Sequence, residues 1–226
     1  LLAELTEGRY HCIHVSSGGS IDLIKRAKDR GVNVTAEVTP HHLTLTDALV
    51  AGRIEPVSAA LPPYDTNTKV APPLREQVDC DTLIQALGDG TIDCIATDHA
   101  PHALHDKDVE FADAAVGFTA LETALASVLS LVHTNQLKLA TAIELLTVGP
   151  AQCYGLPAGT LKLGSPADVT IFDPDEEFIV DPASFHSRGK NTPLAGLPLH
   201  GVIHHTFVNG AHVYDRSSPD AGPLSG

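Results

Sequence analysis

The sequence lacks methionine and is poor in basic residues. None of its 226 residues is methionine, not even the first, so we expect a segment of a longer translated protein unless an initiator residue was removed. Lysine and arginine together number 14 against 28 acidic residues, giving a formal net charge of −14. Nucleic acids and anionic membranes bind through basic patches, so this balance argues against both as partners.

Long apolar runs and paired cysteine motifs are also missing. The uncharged apolar stretch at residues 123–133 is too short to span a bilayer, and we expect neither a transmembrane helix nor a targeting segment. With 43% hydrophobic residues, the chain is expected to be a soluble globular protein with a sizeable core. The cysteines are Cys12, Cys80, Cys94 and Cys153. They form no Cys-x-x-Cys pair, so the sequence predicts a reducing, cytoplasmic setting without disulfides.

The first part of the chain alternates strand and helix patterns. Apolar runs at residues 10–15, 32–38 and 92–97 predict strands, and helical spacing follows at residues 21–30 and 78–87. Further helices are expected at about 117–134 and 139–147, with a shorter one from Pro150. This order is typical of a parallel α/β sheet or barrel.

From about Gly159 the pattern changes to short alternating segments. Residues 167–172, 201–208 and 211–214 predict strands, and Asn209-Gly210 is a strong hairpin signal between the last two. The expected organisation is therefore an α/β domain over residues 1–158, a small β subdomain over 159–215 and a flexible tail over 216–226.

Asp98 is the strongest candidate for a functional residue. It directly follows an apolar strand and is flanked by His99 and His102 in a chain that contains 13 histidines. Active sites of α/β barrels lie at the C-terminal ends of the strands. An aspartate there could instead cap a helix, but the nearby histidines and Pro101 favour a metal-binding carboxylate that also moves protons.

Histidines end two other predicted strands. His14 follows the first strand, and although a lone histidine there is more often structural, its equivalence to Asp98 favours a zinc ligand. His41 and His42 follow the second strand, where one of them could orient a ligand or line the pocket, or the pair could equally form a satisfied turn. His14 and Asp98 alone cannot hold a catalytic metal, because such a site takes at least three protein ligands.

Several motifs together resemble the bacterial dihydroorotases of the amidohydrolase superfamily. The resemblance extends to about Tyr214, and its most specific part is Thr-Asp-His-Ala-Pro-His at residues 97–102, followed by Lys107. The other matching stretches are His-Val-Ser-Ser at 14–17, residues 34–43 ending in Thr-Pro-His-His-Leu, Pro-Pro-Leu-Arg at 72–75, residues 106–111, Gly117 with Leu-Glu-Thr-Ala at 121–124, and Asn-Thr-Pro at 191–193.

This resemblance implies a fold and a metal site. The family fold is a (β/α)8 barrel with a small β subdomain, of which this chain would supply about strands six to eight. The site would hold two zinc ions, with His14 on strand six and Asp98 on strand eight as ligands. The remaining ligands would precede Leu1, so we expect the segment alone to be inactive.

The resemblance also implies a reaction. It is the reversible hydrolysis of (S)-dihydroorotate to N-carbamoyl-L-aspartate in de novo pyrimidine biosynthesis. Asp98 would take a proton from the attacking water and return it to the departing amide nitrogen. His102 would lie beside the substrate carboxylate, and the backbone of Val116 and Gly117 would contact the substrate ring.

Two departures from the family pattern keep other functions open. Ala71 stands where the family has Asn before Pro-Pro-Leu-Arg, which removes a substrate hydrogen bond, and the connection over residues 51–68 is long. A hydantoinase or allantoinase is one alternative. Another is a non-catalytic partner of aspartate transcarbamoylase. An active enzyme could also associate with aspartate transcarbamoylase, or form a homodimer.

Overall fold

The computed structural model describes residues 1–53 and 61–218. Most of the predicted tail, and residues 54–60 of the long connection, lie outside the described residues. The nine α-helices within the described ranges are α1 (Leu2–Thr6), α2 (Gly18–Asp29), α3 (Pro40–Thr44), α4 (Asp47–Val50), α5 (Gln77–Gly88), α6 (Leu104–Lys107), α7 (Ala124–His133), α8 (Leu139–Leu146) and α9 (Val148–Tyr154). None of the described helices is long and apolar enough to cross a membrane.

A three-stranded parallel sheet organises the first part of the chain. Its strands are β1 (Tyr10–Cys12), β2 (Val34–Val38) and β3 (Cys94–Ile95), in the order β1-β2-β3. Val38 on the central strand is fully buried. The helices α2, α5 and α7 contribute buried residues to the same core cluster, so the alternation of strands and helices predicted from the sequence is confirmed.

The strands are shorter than predicted. Residues 10–15 were expected to form one strand, but β1 ends at Cys12 because His14 adopts a left-handed backbone with φ of 50°. The chain returns to the sheet at Val15, whose N–H donates to the Glu37 carbonyl. The third strand, expected over residues 92–97, likewise ends before Asp98, where φ is 47°. Both strands therefore stop shortly before a candidate site residue.

The helix expected over residues 117–134 also begins later than predicted. Gly117 has a φ of 124°, outside the range that a right-handed helix uses. A 3-10 turn over Leu121–Thr123 precedes α7, which starts at Ala124. The residues before this turn are consequently available to pack beside the segment that follows β3.

The last part of the chain forms an antiparallel sheet that contains the predicted hairpin, although its first two strands are longer than the predicted segments 167–172 and 201–208. Its strands are β4 (Val169–Ile179), β5 (Pro198–Val208) and β6 (Ala211–Asp215), in the order β4-β5-β6. Asn209 and Gly210 have positive φ values of 49° and 80° between β5 and β6. This pair of conformations is the one that a two-residue hairpin of type I′ requires.

Helix α7 connects the two sheets. Val128 and Leu131 lie in the core beside the parallel sheet, while α7 also packs on β5. There, Gly201 has a φ of 113°, and a Cβ atom added to it would lie 2.4 Å from a terminal carbon of Leu129. Leu129 itself is fully buried. A side chain at position 201 would therefore displace the buried end of Leu129 and would also be strained by the positive φ.

Candidate functional site

His14 and Asp98 lie side by side at the carboxyl ends of two parallel strands. The Nε2 atom of His14 is 3.5 Å from the Oδ1 atom of Asp98. Each side chain retains about a fifth of its exposure, at 23% and 20%. Both residues have positive φ, which is uncommon outside glycine and concentrates at functional sites. The sequence prediction that these two residues share a site is thus consistent with their geometry.

Asp98 does not cap a helix. Residues 96–103 form no helix, and the next helix, α6, begins at Leu104 with Ala103 as its N-cap. Burial raises the pKa of the Asp98 carboxyl above its usual value of 3.8; nearby His14 opposes the shift and Glu37 adds to it. A carboxylate with a raised pKa is a better proton acceptor.

Glu37 is the site residue that sequence reasoning missed. Its carboxylate is only 3% exposed and lies 3.0 Å from Nδ1 of His14 and 3.0 Å from Nε2 of His11. The hydroxyl of Tyr154 donates to the same carboxylate at 3.2 Å. A charged residue inside the apolar run at residues 32–38 was the signal that could have identified it, because buried carboxylates need partners.

Cys94 lies next to this carboxylate on β3. His11, Glu37 and Cys94 each offer a ligand atom within 4.8 Å of the others. Burial, reinforced by the neighbouring Cys153, raises the pKa of the Cys94 thiol far above its usual value of 9.0. In the metal-free chain the thiol therefore stays protonated at neutral pH, and it would have to lose its proton to bind a metal, since the thiolate is the form that binds metals.

The two histidines of α3 differ in their environments. His42 meets the Thr39 hydroxyl at 2.7 Å and the Pro72 carbonyl at 2.8 Å, as a satisfied turn residue would. His41 is 4% exposed, and neither of its ring nitrogens has a hydrogen-bond partner among the described residues. Its ring packs against the Phe118 ring in an edge-to-face arrangement, with centroids 4.8 Å apart.

The burial of His41 predicts how stability depends on pH. Burial holds the pKa of His41 well below its usual value of 6.5, with smaller contributions from His42 and His14. As the pH falls below 6.5, His41 binds a proton in the unfolded chain but stays neutral in the folded chain. The free energy of unfolding of metal-free protein should therefore fall as the pH drops below 6.5, by up to about 1.4 kcal/mol per pH unit for this histidine.

Urea unfolding across this pH range measures the effect. His41→Gln should flatten the slope, because the titrating group is gone. His105→Gln, at a side chain that is 85% exposed, should leave the slope unchanged. Equal slopes for the wild type and His41→Gln would show that His41 is not held neutral in the folded state.

A second group of predicted residues surrounds His102. Its Nε2 atom lies 3.0 Å from the carbonyl of Val116, and its backbone N–H donates to Oδ1 of Asn191 at 2.9 Å. The Asn191 amide donates in turn to the Gly117 carbonyl at 3.0 Å. His102, Val116 and Gly117 are thus brought together, and Asn191 is what links them.

Lys107 holds the same loop from beneath. It is 4% exposed and donates to the carbonyls of Ala115 at 2.7 Å and Gly117 at 2.9 Å. Burial lowers its pKa to about 8, and the neighbouring Lys69 contributes to the shift.

An open cleft of about 590 Å³ passes His102 and Lys107 and is also lined by Arg188. His14 and Asp98 do not line this cleft.

His99, which flanks Asp98, has a structural role. Its Nδ1 atom accepts hydrogen bonds from the N–H groups of Ala120, at 3.2 Å, and Leu121, at 3.0 Å. These bonds fix the chain just before α7, and the Ala100 N–H donates to the Phe118 carbonyl at 3.0 Å. The segment that carries Asp98 is therefore anchored on the residues that precede α7.

Comparison with known proteins gives a consistent result at the level of family. The Amidohydrolase family model matches residues 1–213. A dihydroorotase from Anaeromyxobacter dehalogenans is 49% identical over 219 residues, which are 97% of this chain and 48% of that protein. A dihydroorotase from Pelotomaculum thermopropionicum is 50% identical over 211 residues, 93% of this chain and 47% of that protein. These matches confirm the resemblance to dihydroorotases.

A solved structure agrees with these relatives. The L-hydantoinase (dihydropyrimidinase) from Arthrobacter aurescens superposes with a TM-score of 0.84 at 32% identity, over 95% of this chain and 47% of that one. The chain spans about half the length of the curated relatives it matches.

Proposed function

Because the chain belongs to the amidohydrolase family, we propose that it forms the C-terminal half of a zinc-dependent cyclic amidohydrolase. The reaction is the reversible hydrolysis of (S)-dihydroorotate to N-carbamoyl-L-aspartate, in cytoplasmic pyrimidine biosynthesis. One observation carries this proposal: an imidazole nitrogen and a carboxylate oxygen, 3.5 Å apart at the ends of parallel strands, in a chain whose curated relatives are named dihydroorotase.

The parallel sheet corresponds, in this proposal, to strands six to eight of a (β/α)8 barrel. The order β1-β2-β3 and the helices between the strands support that reading, since barrels are built from repeated βα units. The other strands and metal ligands would come from the additional length that the relatives possess.

The donor set fits a metal ion. Ligand atoms at about 2.1 Å from one tetrahedral zinc lie about 3.4 Å from each other, close to the separation of His14 Nε2 and Asp98 Oδ1, which is 3.5 Å. His14 and Asp98 would therefore hold zinc together with ligands from the rest of the enzyme. The chemistry that zinc supplies in such a site is polarisation of a carbonyl and acidification of a water molecule.

Asp98 would move the proton. Its raised pKa lets a carboxylate oxygen accept a proton from the attacking water. The same oxygen then donates that proton to the amide nitrogen as the ring opens. The His14 ring, which Glu37 contacts from the other side, holds its Nε2 toward Asp98 throughout.

The group around His102 would orient the substrate. His102 would offer its imidazole to the substrate carboxylate, and the backbone of Val116 and Gly117 would contact the ring. The Gly117 N–H already donates to the Lys69 carbonyl at 2.8 Å, so at Gly117 this contact would be one of packing. Lys107 and Asn191 both bond the Gly117 carbonyl, so this part of the loop is held before substrate arrives. Pre-ordering of this kind lowers the entropic cost of binding.

Glu37→Gln tests the part played by the buried carboxylate. The change keeps the size of the side chain but removes the charge beside His14, so zinc affinity should fall about 10- to 100-fold, as for other residues that orient metal ligands. Competition with a chelating dye in the complete enzyme measures this affinity. Glu144→Gln, at an exposed helix position, is the matched control, and equal zinc affinity in both variants would contradict the role of Glu37.

A substrate panel tests the proposed reaction. The zinc-loaded complete enzyme is offered (S)-dihydroorotate, hydantoin and allantoin, and ring opening is followed by loss of ultraviolet amide absorbance while bound zinc is measured. We expect kcat/KM to be highest for dihydroorotate. A preference for hydantoin or allantoin would replace the proposed substrate. A protein that binds no zinc under replete conditions would instead support a non-catalytic partner of aspartate transcarbamoylase.

A further inference from the structure

The hairpin of β5 and β6 gathers two histidines and a carboxylate away from the candidate active site. The Nδ1 atom of His205 lies 3.2 Å from the Nε2 atom of His212 and 3.9 Å from the Oδ1 atom of Asp215. All three ligand atoms lie within 4.8 Å of one another. His205 and Asp215 are 39% and 30% exposed, so the group is open to ions from solvent.

An irregularity in the strand pairing brings these side chains to one face. His205 pairs with Asp215 and Phe207 pairs with His212, with a register shift between Thr206 and Phe207. His212 and Asp215 are three residues apart and would point to opposite faces of a regular strand. The extra residue on β6 restores them to the same face, as β-bulges do when they redirect side chains.

Neighbouring groups hold the cluster in place. The Phe207 ring stacks on His212, with centroids 4.6 Å apart and planes 15° from parallel. Asp215 Oδ1 accepts hydrogen bonds from the Ser217 N–H at 2.8 Å and the Ser217 hydroxyl at 2.7 Å. The two oxygens of a carboxylate share about four lone-pair sites, so Oδ2 of Asp215 keeps acceptor capacity for a cation while Oδ1 is held by Ser217.

The separation of the ring nitrogens matches a shared metal. Two imidazole nitrogens at about 2.1 Å from a tetrahedral zinc lie about 3.4 Å apart, and here His205 and His212 are at 3.2 Å. Arg216, which directly follows β6, is paired with Glu176, which reduces its repulsion of a bound ion. Imidazole and carboxylate ligands are typical of zinc sites.

We propose that His205, His212 and Asp215 bind one zinc-class divalent cation, at a site separate from His14 and Asp98. Water completes the coordination. The ion links β5 to β6 across the hairpin and replaces the hydrogen bond between the two rings. This site does not depend on the proposed hydrolase function, because none of its ligands belongs to the candidate active site.

Calorimetric titration with zinc tests the proposal, using the full chain after a chelator has removed any bound metal. The double variant His205→Asn/His212→Asn should bind one zinc equivalent fewer than the wild type. The matched control is His204→Asn, on the same strand but engaged with Glu176, which should bind as many equivalents as the wild type. The same stoichiometry in the double variant and the wild type would overturn the proposal.

A second measurement uses the unaltered chain and so does not depend on how the variants fold. Histidines are modified with diethyl pyrocarbonate, with and without zinc, and the products are mapped by mass spectrometry. Zinc should protect His205 and His212 but leave the reactivity of His204 unchanged. Equal modification of His205 and His212 with and without zinc would overturn the site, and equal protection by magnesium would overturn its assignment to zinc-class ions.

Discussion

Replacing Asp98 with asparagine should lower kcat of the complete enzyme for dihydroorotate, the proposed substrate, by about 10²- to 10⁴-fold, the range that a general acid–base group contributes. The carboxamide keeps the size of the side chain but cannot accept a proton from water. It also removes a charge that lies 3.5 Å from His14, so weaker zinc binding would add to the loss. Turnover is followed by ultraviolet absorbance after zinc saturation.

The control for this variant is Asp113→Asn, at an exposed position, which should retain wild-type turnover. Zinc content, measured in parallel, separates two causes of inactivity. An Asp98→Asn protein that keeps its zinc and loses turnover has lost proton transfer, whereas a zinc-free protein has lost a ligand. Wild-type turnover in Asp98→Asn would remove Asp98 from the reaction.

Replacing Phe118 with alanine should lower the free energy of unfolding by about 3–5 kcal/mol, the usual cost of deleting a buried aromatic ring. Phe118 is 2% exposed and packs with residues that include Leu45 and Leu194. Its ring also covers His41, so the variant would admit water to an imidazole that has no hydrogen-bond partner among the described residues.

Urea unfolding at neutral pH measures the loss, and Phe118→Leu is the matched variant. Leucine fills much of the space, so its cost should be clearly smaller. The Phe118 carbonyl still accepts from the Ala100 N–H in both variants, so the difference reports on the side chain. A loss below about 1 kcal/mol for Phe118→Ala would mean that the surrounding core collapses into the space.

Much of the fold could be predicted because its signals are local. Asn209-Gly210 tolerates positive φ at two adjacent positions, and a two-residue hairpin turn of type I′ is the structure that needs this pair of conformations. The helix α5 follows from apolar spacing closed by glycine. Asp98 and His14 were singled out because each directly follows an apolar strand, and the resemblance carried by residues 97–102 then gave them their expected roles.

The remaining features depend on contacts that the sequence does not record. β1 ends early because His14 has a positive φ. That conformation accompanies the hydrogen bond between the Val15 N–H and the Glu37 carbonyl on the next strand, a contact that local spacing does not predict. The partners of Glu37 come from β1 and from α9, more than a hundred residues further along the chain. The burial of His41 likewise requires Phe118, which precedes α7. Such pairs are set by packing, not by local spacing.

The close packing of Gly201 on Leu129 couples the unfolding of the two sheets. Because α7 presents Val128 to the core of the parallel sheet and Leu129 to β5, neither sheet can open without uncovering the same helix. Exposure of so much apolar surface opposes independent, partial opening. The antiparallel hairpins and the site-bearing strands should therefore melt in one cooperative transition, and amide hydrogen exchange should be slowest along the helix that both sheets share.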